Sequence, residues 1–422
     1  MFSLRPTLHR AKLLPLLTIC LGVLAGLVLA ESFLRFQKHR IRSSEYQDPG
    51  LLAYDSLLGW KLTPGWKGVH KHLDFQVSYT VNPYGFRGDF SREPGGGGRR
   101  IAVVGDSFTF GFGVEDDETF VHLLNERSPT GHVFLNFGIP GYSTDQEYLL
   151  IRERLPRFSP DVILLVVYPG NDLFDNELPY PLQGNRPKPF FETTPGGLVL
   201  KNIPVPLAEK PPGQRRVDLK TVVLGESSRP DGRLERFLSR FELYARLQMA
   251  LQTISHRPVA FGNRFDSALD LFEAIVNETR VLCERKGVDL RLVLLPGASF
   301  LTRPGSPSAQ YQEHLREKIM ERQETMGAPI TDLASALARR YPSDIGPWYH
   351  PHEGHLTPLG HEVVAEVLAE VFSDKFPFSK NATGESWKFP VLATTVKGIA
   401  GRLPRLPANC TKGLPLSHVS PR

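Results

Sequence analysis

Between Asp161 and Tyr168 the chain reads DVILLVVY. A continuous apolar run of that length fits a strand buried on both faces, so it needs a layer of structure on each side. The neighbouring sequence can supply those layers. Ile101–Val104 is followed by a helical pattern at Glu118–Arg127, and Val133–Asn136 by another at Thr144–Leu155. Later, Ser267–Lys286 places Leu269, Phe272, Ile275 and Leu282 on one helical face and stops at Gly287. Leu290–Leu295 and Pro329–Leu333 read as a fourth and fifth strand, and Thr357–Phe372 as a closing helix with Pro358 in its first turn. Strand–helix alternation of this kind predicts a five-stranded parallel sheet with helices on both faces and right-handed crossovers.

The flanks differ in character. Arg5, Arg10 and Lys12 precede an uncharged run, Leu13 to Ala30. As a helix that run reaches roughly 27 Å, just short of a hydrocarbon core of about 30 Å. Residues 1–42 are therefore expected to be an uncleaved signal anchor and its flank, with the body exported. Val28-Leu29-Ala30 also passes loosely as a cleavage site, so the alternative is secretion after cleavage. Residues 43–98 read as an irregular lead-in, with turn signals at Leu58-Gly-Trp60, Pro64-Gly-Trp66 and Asn82-Pro-Tyr-Gly85. The main domain is expected over 99–374. It is interrupted at 173–265 by a Pro-rich, lid-like insertion containing a helix near Phe237–Ile254. Residues 375–422 read as a basic, weakly ordered tail.

Charge argues against nucleic acid. The +5 net charge comes from the ends: seven Lys/Arg against one Glu in residues 1–42, and eight against one in residues 375–422. The body between them is acidic and shows no basic stripe interleaved with aromatics. Cys20, Cys283 and Cys410 lie far apart and form neither a metal spacing nor a disulfide framework.

Four segments can carry chemistry, and three follow strand ends, where open parallel sheets gather their ligands. They are Gly105-Asp106-Ser107, Asn136-Phe-Gly138-Ile-Pro-Gly141, Gly170-Asn171-Asp172, and His350-Pro-His352-Glu353-Gly354-His355. A serine needs a base to take its proton, and histidine is the usual base near neutral pH. A carboxylate must then orient the imidazole. An oxyanion needs preorganised donors; the candidates are the Ser107 and Gly141 N–H groups and the Asn171 amide.

These segments resemble the blocks of the SGNH (GDSL-type) hydrolase family, here a membrane-anchored member. The resemblance covers about residues 100–172 and 265–372. It implies a flavodoxin-like three-layer α/β/α sandwich and acyl chemistry on esters, with Ser107 as nucleophile, Gly141 and Asn171 in the oxyanion hole, and His355 as base. The family usually places Asp three residues before the histidine, and some members two before. Here those positions hold His352 and Glu353. Residues two apart in an extended loop point to the same side, so Glu353 is the expected orienting acid.

Other readings fit less well. The residue two after Ser107 is Thr109, so the G-x-S-x-G elbow is missing. No Lys stands at phosphate-loop spacing. His350, His352, His355 and His361 lack the H-E-x-x-H spacing of a zinc helix; His361 is expected to cap or pack. Asp106 reads as a turn residue bonding nearby amides. Asp172, Asp175 and Asn176 read as a solvated helix entry, and Asp332 as an N-cap. The expected function is an extracytoplasmic serine ester hydrolase working through an acyl-enzyme, with no metal or organic cofactor, on an ester-bearing small molecule or glycan. The alternatives are an O-acyltransferase acting on a cell-surface glycan and a non-catalytic binding or assembly protein that keeps the fold.

Overall fold

In the computed structural model, which describes residues 8–127, 131–182, 184–207, 232–255, 263–341 and 347–371, the Val-rich run at 162–167 is the middle strand of a five-stranded sheet. Numbered along the chain, the strands before the sheet are β1 (Tyr46–Gln47), β2 (Leu52–Asp55), β3 (Gly59–Leu62), β4 (Lys67–Lys71) and β5 (Gln76–Thr80). The sheet itself uses β6 (Arg100–Gly105), β7 (Val133–Gly138) and β8 (Val162–Val167). After the hairpin β9 (Phe190–Thr194) and β10 (Gly197–Lys201), it is completed by β11 (Asp289–Leu294) and β12 (Ile330–Asp332). Its order is β12-β11-β8-β6-β7, and every pairing is parallel.

The helices include α1 (Leu8–Ser44), α2 (Ser107–Phe110), α3 (Phe120–Arg127), α4 (Thr144–Glu153), α5 (Arg233–Leu238), α6 (Glu242–Ser255), α7 (Asn263–Lys286), α8 (Leu333–Arg340) and α9 (Pro358–Val371). Successive strand residues point to opposite faces, and the core divides accordingly. Ala102, Val104, Leu135, Phe137, Ile163 and Leu165 share one cluster with Leu149 of α4 and Leu269 and Phe272 of α7. Ile101, Val103, Phe134 and Leu164 alternate with them and are equally buried. They face the side on which α3, packed against β7, also packs against α9, with α8 beyond. Every residue of β8 is at most 2% exposed, which is why its sequence carries no polar position. Truncating such a side chain to Ala costs about 2–5 kcal/mol.

The predicted strands and helices fall where the periodicity puts them, with ends shifted by a few residues. Residues 45–98 differ from expectation. They are ordered strands: a three-stranded antiparallel sheet β1-β4-β5 and a hairpin β2–β3. Alternation explains it. Val77 and Tyr79 of β5 are buried while Gln76 and Ser78 face out. Trp60, Leu62, Tyr79 and Phe86 join the main core cluster, and Arg87 bridges to Asn136 on β7. The insertion is also more structured than a loop, with the β9–β10 hairpin and two helices, α5 and α6, where one was expected. Its Pro-rich middle, 208–231, and the basic tail, 375–422, lie outside the described residues.

Among the described residues, one helix, α1, is long and apolar enough to cross a membrane. Its Leu17, Leu21, Leu24 and Val28 are each more than half exposed.

Candidate active site

The chain leaves β6 to build β7 on one side and returns to build β8 on the other, so the order of connection reverses at β6. Crevices open at such reversals. Ser107 sits there, as the first residue of α2. Asp106 caps that short helix, its Oδ1 accepting from Phe108 N at 2.9 Å.

His355 approaches from the loop before α9. Ser107 Oγ lies 2.6 Å from His355 Nε2, and His355 Nδ1 lies 2.7 Å from both carboxylate oxygens of Glu353. The loop is a tight turn rather than an extended segment. His350 N donates to His355 O at 2.8 Å, and Gly354 N to His350 O at 2.9 Å. Gly354 has φ +92°, a conformation that favours glycine. The turn folds Glu353 back so that it also accepts from His355 N at 2.9 Å. Burial raises the Glu353 carboxyl pKa, but the bonds and charge from His355 outweigh it and hold the carboxyl below its usual range. The His355 ring lies between Phe108 and Phe112, at centroid distances of 4.5 and 5.0 Å. Its placement is thus set by packing as well as by hydrogen bonds.

Two of the three expected oxyanion donors are open. The Ser107 and Gly141 amides make no hydrogen bond among the described residues. Gly141 presents its N–H from a turn at φ +79°, where a side chain would be strained. Asn171 differs. Its Nδ2 donates to Asp106 Oδ2 at 3.0 Å and to Tyr142 O at 2.8 Å, while its Oδ1 is buried without a partner. Ser107, Gly141, Asn171, Glu353 and His355 all line one cleft of about 990 Å³.

Asp106 does more than the expected turn. It ties α2 to Asn171, and burial raises its pKa to about 6 against the pull of the Phe108 amide. Asp172, Asp175 and Asn176 are not a solvated helix entry: each is at most 1% exposed. They lie among further buried acids. Glu147 is fully buried with neither carboxylate oxygen partnered, and burial followed by repulsion from Asp106 and Asp145 raises its pKa. The Lys188 ammonium, also fully buried, pairs with Asp145 and donates to Asp175 O at 2.8 Å. Asp332 occupies the N-cap position of α8, but its carboxylate bonds Arg316 and Ser335 Oγ instead of an amide. His361 caps as expected, its Nδ1 accepting from Phe120 N at 3.2 Å, and burial lowers its pKa to about 3.

Sequence reasoning missed the braces supplied by residues 45–98. Asp74 accepts from His352 Nδ1 at 2.6 Å, His352 N at 2.8 Å and Glu353 N at 3.0 Å, so it grips the histidine loop. The signal was indirect: His352 stands where a carboxylate is usual, and a histidine there needs an acid from elsewhere. Arg87, 1% exposed, donates to Phe110 O, Gly111 O and Val114 O and pairs with Asp116, holding the chain just after α2.

A family model described as GDSL-like Lipase/Acylhydrolase matches residues 103–363. Among solved structures, the chain is similar to a lipolytic G-D-S-L family protein from Desulfitobacterium hafniense (11% identity, TM-score 0.35, 65% of this chain and 99% of that one). It is also similar to the acetyl xylan esterase AlAXEase (12% identity, TM-score 0.36, 65% and 99%). A third is a mutant of Axe2, an acetyl-xylooligosaccharide esterase from Geobacillus (11% identity, TM-score 0.37, 68% and 98%). No curated protein matches the chain. On the extent of that family match, the chain belongs to the GDSL-like lipase/acylhydrolase family and is an ester-hydrolysing enzyme.

Proposed function

We propose that the protein is a membrane-anchored, extracytoplasmic serine esterase that works through an acyl-enzyme on Ser107. The observation that carries this reading is the unbroken chain of hydrogen bonds from Ser107 Oγ through His355 to Glu353. With its Nδ1 proton held by Glu353, His355 presents a bare Nε2 to the serine hydroxyl. Nε2 takes the proton as Oγ attacks the ester carbonyl carbon. The carbonyl oxygen becomes an oxyanion facing the Ser107 and Gly141 amides. The Asn171 amide joins them when it turns one N–H from Tyr142 O or Asp106 toward the cleft. Collapse expels the alcohol, which takes the proton from Nε2. Water then attacks the acyl-enzyme by the same proton route, releasing the acid and restoring Ser107. Every proton in this cycle is carried by the chain's own groups.

The acyl donor in this reading is an ester-bearing small molecule or glycan. Anchoring rests on α1, whose Leu17, Leu21, Leu24 and Val28 are each more than half exposed. The test is a fluorophosphonate probe followed by mass mapping. Labelling of Ser107, with loss of both labelling and p-nitrophenyl acetate turnover in Ser107→Ala, is the expected result. Turnover that survives Ser107→Ala overturns the assignment.

A further inference from the structure

The insertion does not stand apart from the membrane helix. Glu31, the first charged residue after the apolar run, accepts from the amides of Glu242 and Leu243 at 3.1 and 2.9 Å, so it caps the N-terminus of α6. Arg35 donates to Arg240 O at 2.9 Å, and Lys38 pairs with Glu242. The α5–α6 unit is therefore fastened to α1 at the level where the apolar run ends. What it exposes there is apolar: Leu234 and Phe237 on α5, then Leu247 and Leu251, one turn apart on α6, are each more than half exposed. Arg233, Arg236 and Arg246 flank them in the open, matching the charge of anionic headgroups. An exposed apolar face with a basic border, starting at the end of a membrane span, has the chemistry of an interfacial helix pair.

The same unit reaches the catalytic cleft. Met249, on the side of α6 away from Leu247 and Leu251, and Glu45, which follows α1, line the cleft that holds Ser107. From Glu31 to Ser44 the helix rises about 20 Å. The cleft mouth thus opens within about one short helix length of the interface.

We infer that the α5–α6 face lies on the lipid surface beside α1 and holds the catalytic cleft on the opposite side of α6, close above the headgroups, so that the ester is carried by the outward-reaching head of a bilayer-borne amphiphile. This rests on the anchored-esterase reading above. It explains why an esterase of this kind would hold its insertion to its anchor by four separate contacts between Glu31, Arg35, Lys38 and residues 240–243. A polymer arriving from the aqueous side would need no such fastening.

The experiment uses the full chain in phosphatidylcholine–phosphatidylglycerol vesicles. An NBD fluorophore is placed at Leu251→Cys, in a Cys20→Ser/Cys410→Ser background, with Glu362→Cys on α9 as the control. The vesicles carry spin-labelled phospholipid as quencher. Flotation with the vesicles and quenching at position 251 but not at 362 is the expected result. In parallel, Leu247→Ser/Leu251→Ser is expected to keep p-nitrophenyl acetate turnover and lose several-fold in turnover of a long-chain p-nitrophenyl ester dissolved in the vesicles. Flotation without quenching at 251 overturns the inference and leaves the anchor standing. A blue-shifted but unquenched probe that cross-links to another copy assigns the face to a second chain, and also overturns it. Failure to float removes the anchor and this inference together.

Discussion

Replacing Glu353 with Gln isolates what its charge contributes. The glutamine keeps nearly the same volume, and one oxygen can still accept from His355 N, which Glu353 holds at 2.9 Å. Two things change. As Ser107 is deprotonated the imidazole becomes a cation, and the counter-charge now 2.7 Å from Nδ1 is gone. For charge centres about 4 Å apart at an effective dielectric of about 20, that interaction is about 4 kcal/mol. At about 1.4 kcal/mol per decade, the transition state weakens by about 10³-fold. In addition, a glutamine NH₂ turned toward Nδ1 favours the tautomer with its proton on Nε2, where it blocks transfer from Ser107. The expected result is a fall of about 10³ in kcat/KM on p-nitrophenyl acetate, carried mainly by kcat, with little change in thermal midpoint. Glu353→Asp restores the charge but shortens the reach, and is expected to recover part of the activity. A loss under about tenfold in Glu353→Gln would refute the assignment and move the orienting acid elsewhere.

Asp74→Asn keeps an acceptor for the loop amides but removes the charge facing His352; kcat is expected to fall about tenfold with KM nearly unchanged, as read by steady-state kinetics. Lys188→Met leaves the Asp145 carboxylate buried and unpaired, and is expected to lower unfolding stability by about 3–5 kcal/mol in urea; adding Asp145→Asn recovers part of that, as a double-mutant cycle would measure. Asp106 titrates near 6 in the folded protein against 3.8 in the unfolded chain, so the folded state binds the extra proton and its stability falls as pH rises from about 4 through about 6. Asp106→Asn is expected to flatten that decline by up to about 3 kcal/mol, measured as urea midpoints at pH 4 and pH 7.

The parallel sheet was legible because its strands β6, β7 and β8 are buried almost throughout. That leaves a run such as VILLVV no polar residue, and its six-residue length between turn signals points to a strand rather than a buried helix. The site blocks were legible because each lies at the exit of a strand or just before the last helix. What the sequence hid depends on pairs distant along the chain. Asp74 and His352 meet at 2.6 Å across 278 positions, and no local spacing announces them. Lys188 sits in a Pro-rich stretch that reads as surface; its partner Asp145, on α4, and the Asp175 and Pro189 carbonyls make burial tolerable. The strands of residues 45–98 are legible only as short alternating runs between turns, such as Phe75–Tyr79, since four or five residues give alternation little room to register. By type Asn171 suits an oxyanion donor, but its two hydrogen bonds here go to Asp106 and Tyr142, and only the folded turn reveals that competition.

The family match begins at residue 103, yet Arg87 binds three carbonyls just after Ser107 and Asp74 holds the loop that carries His355. Trimming the gene to the motif-bearing segment would therefore cut away two supports of the proposed site. A truncated preparation that fails in an esterase screen would report on its missing scaffold and not on its chemistry. Any library, chimera or crystallisation fragment made from this protein should start upstream of β1.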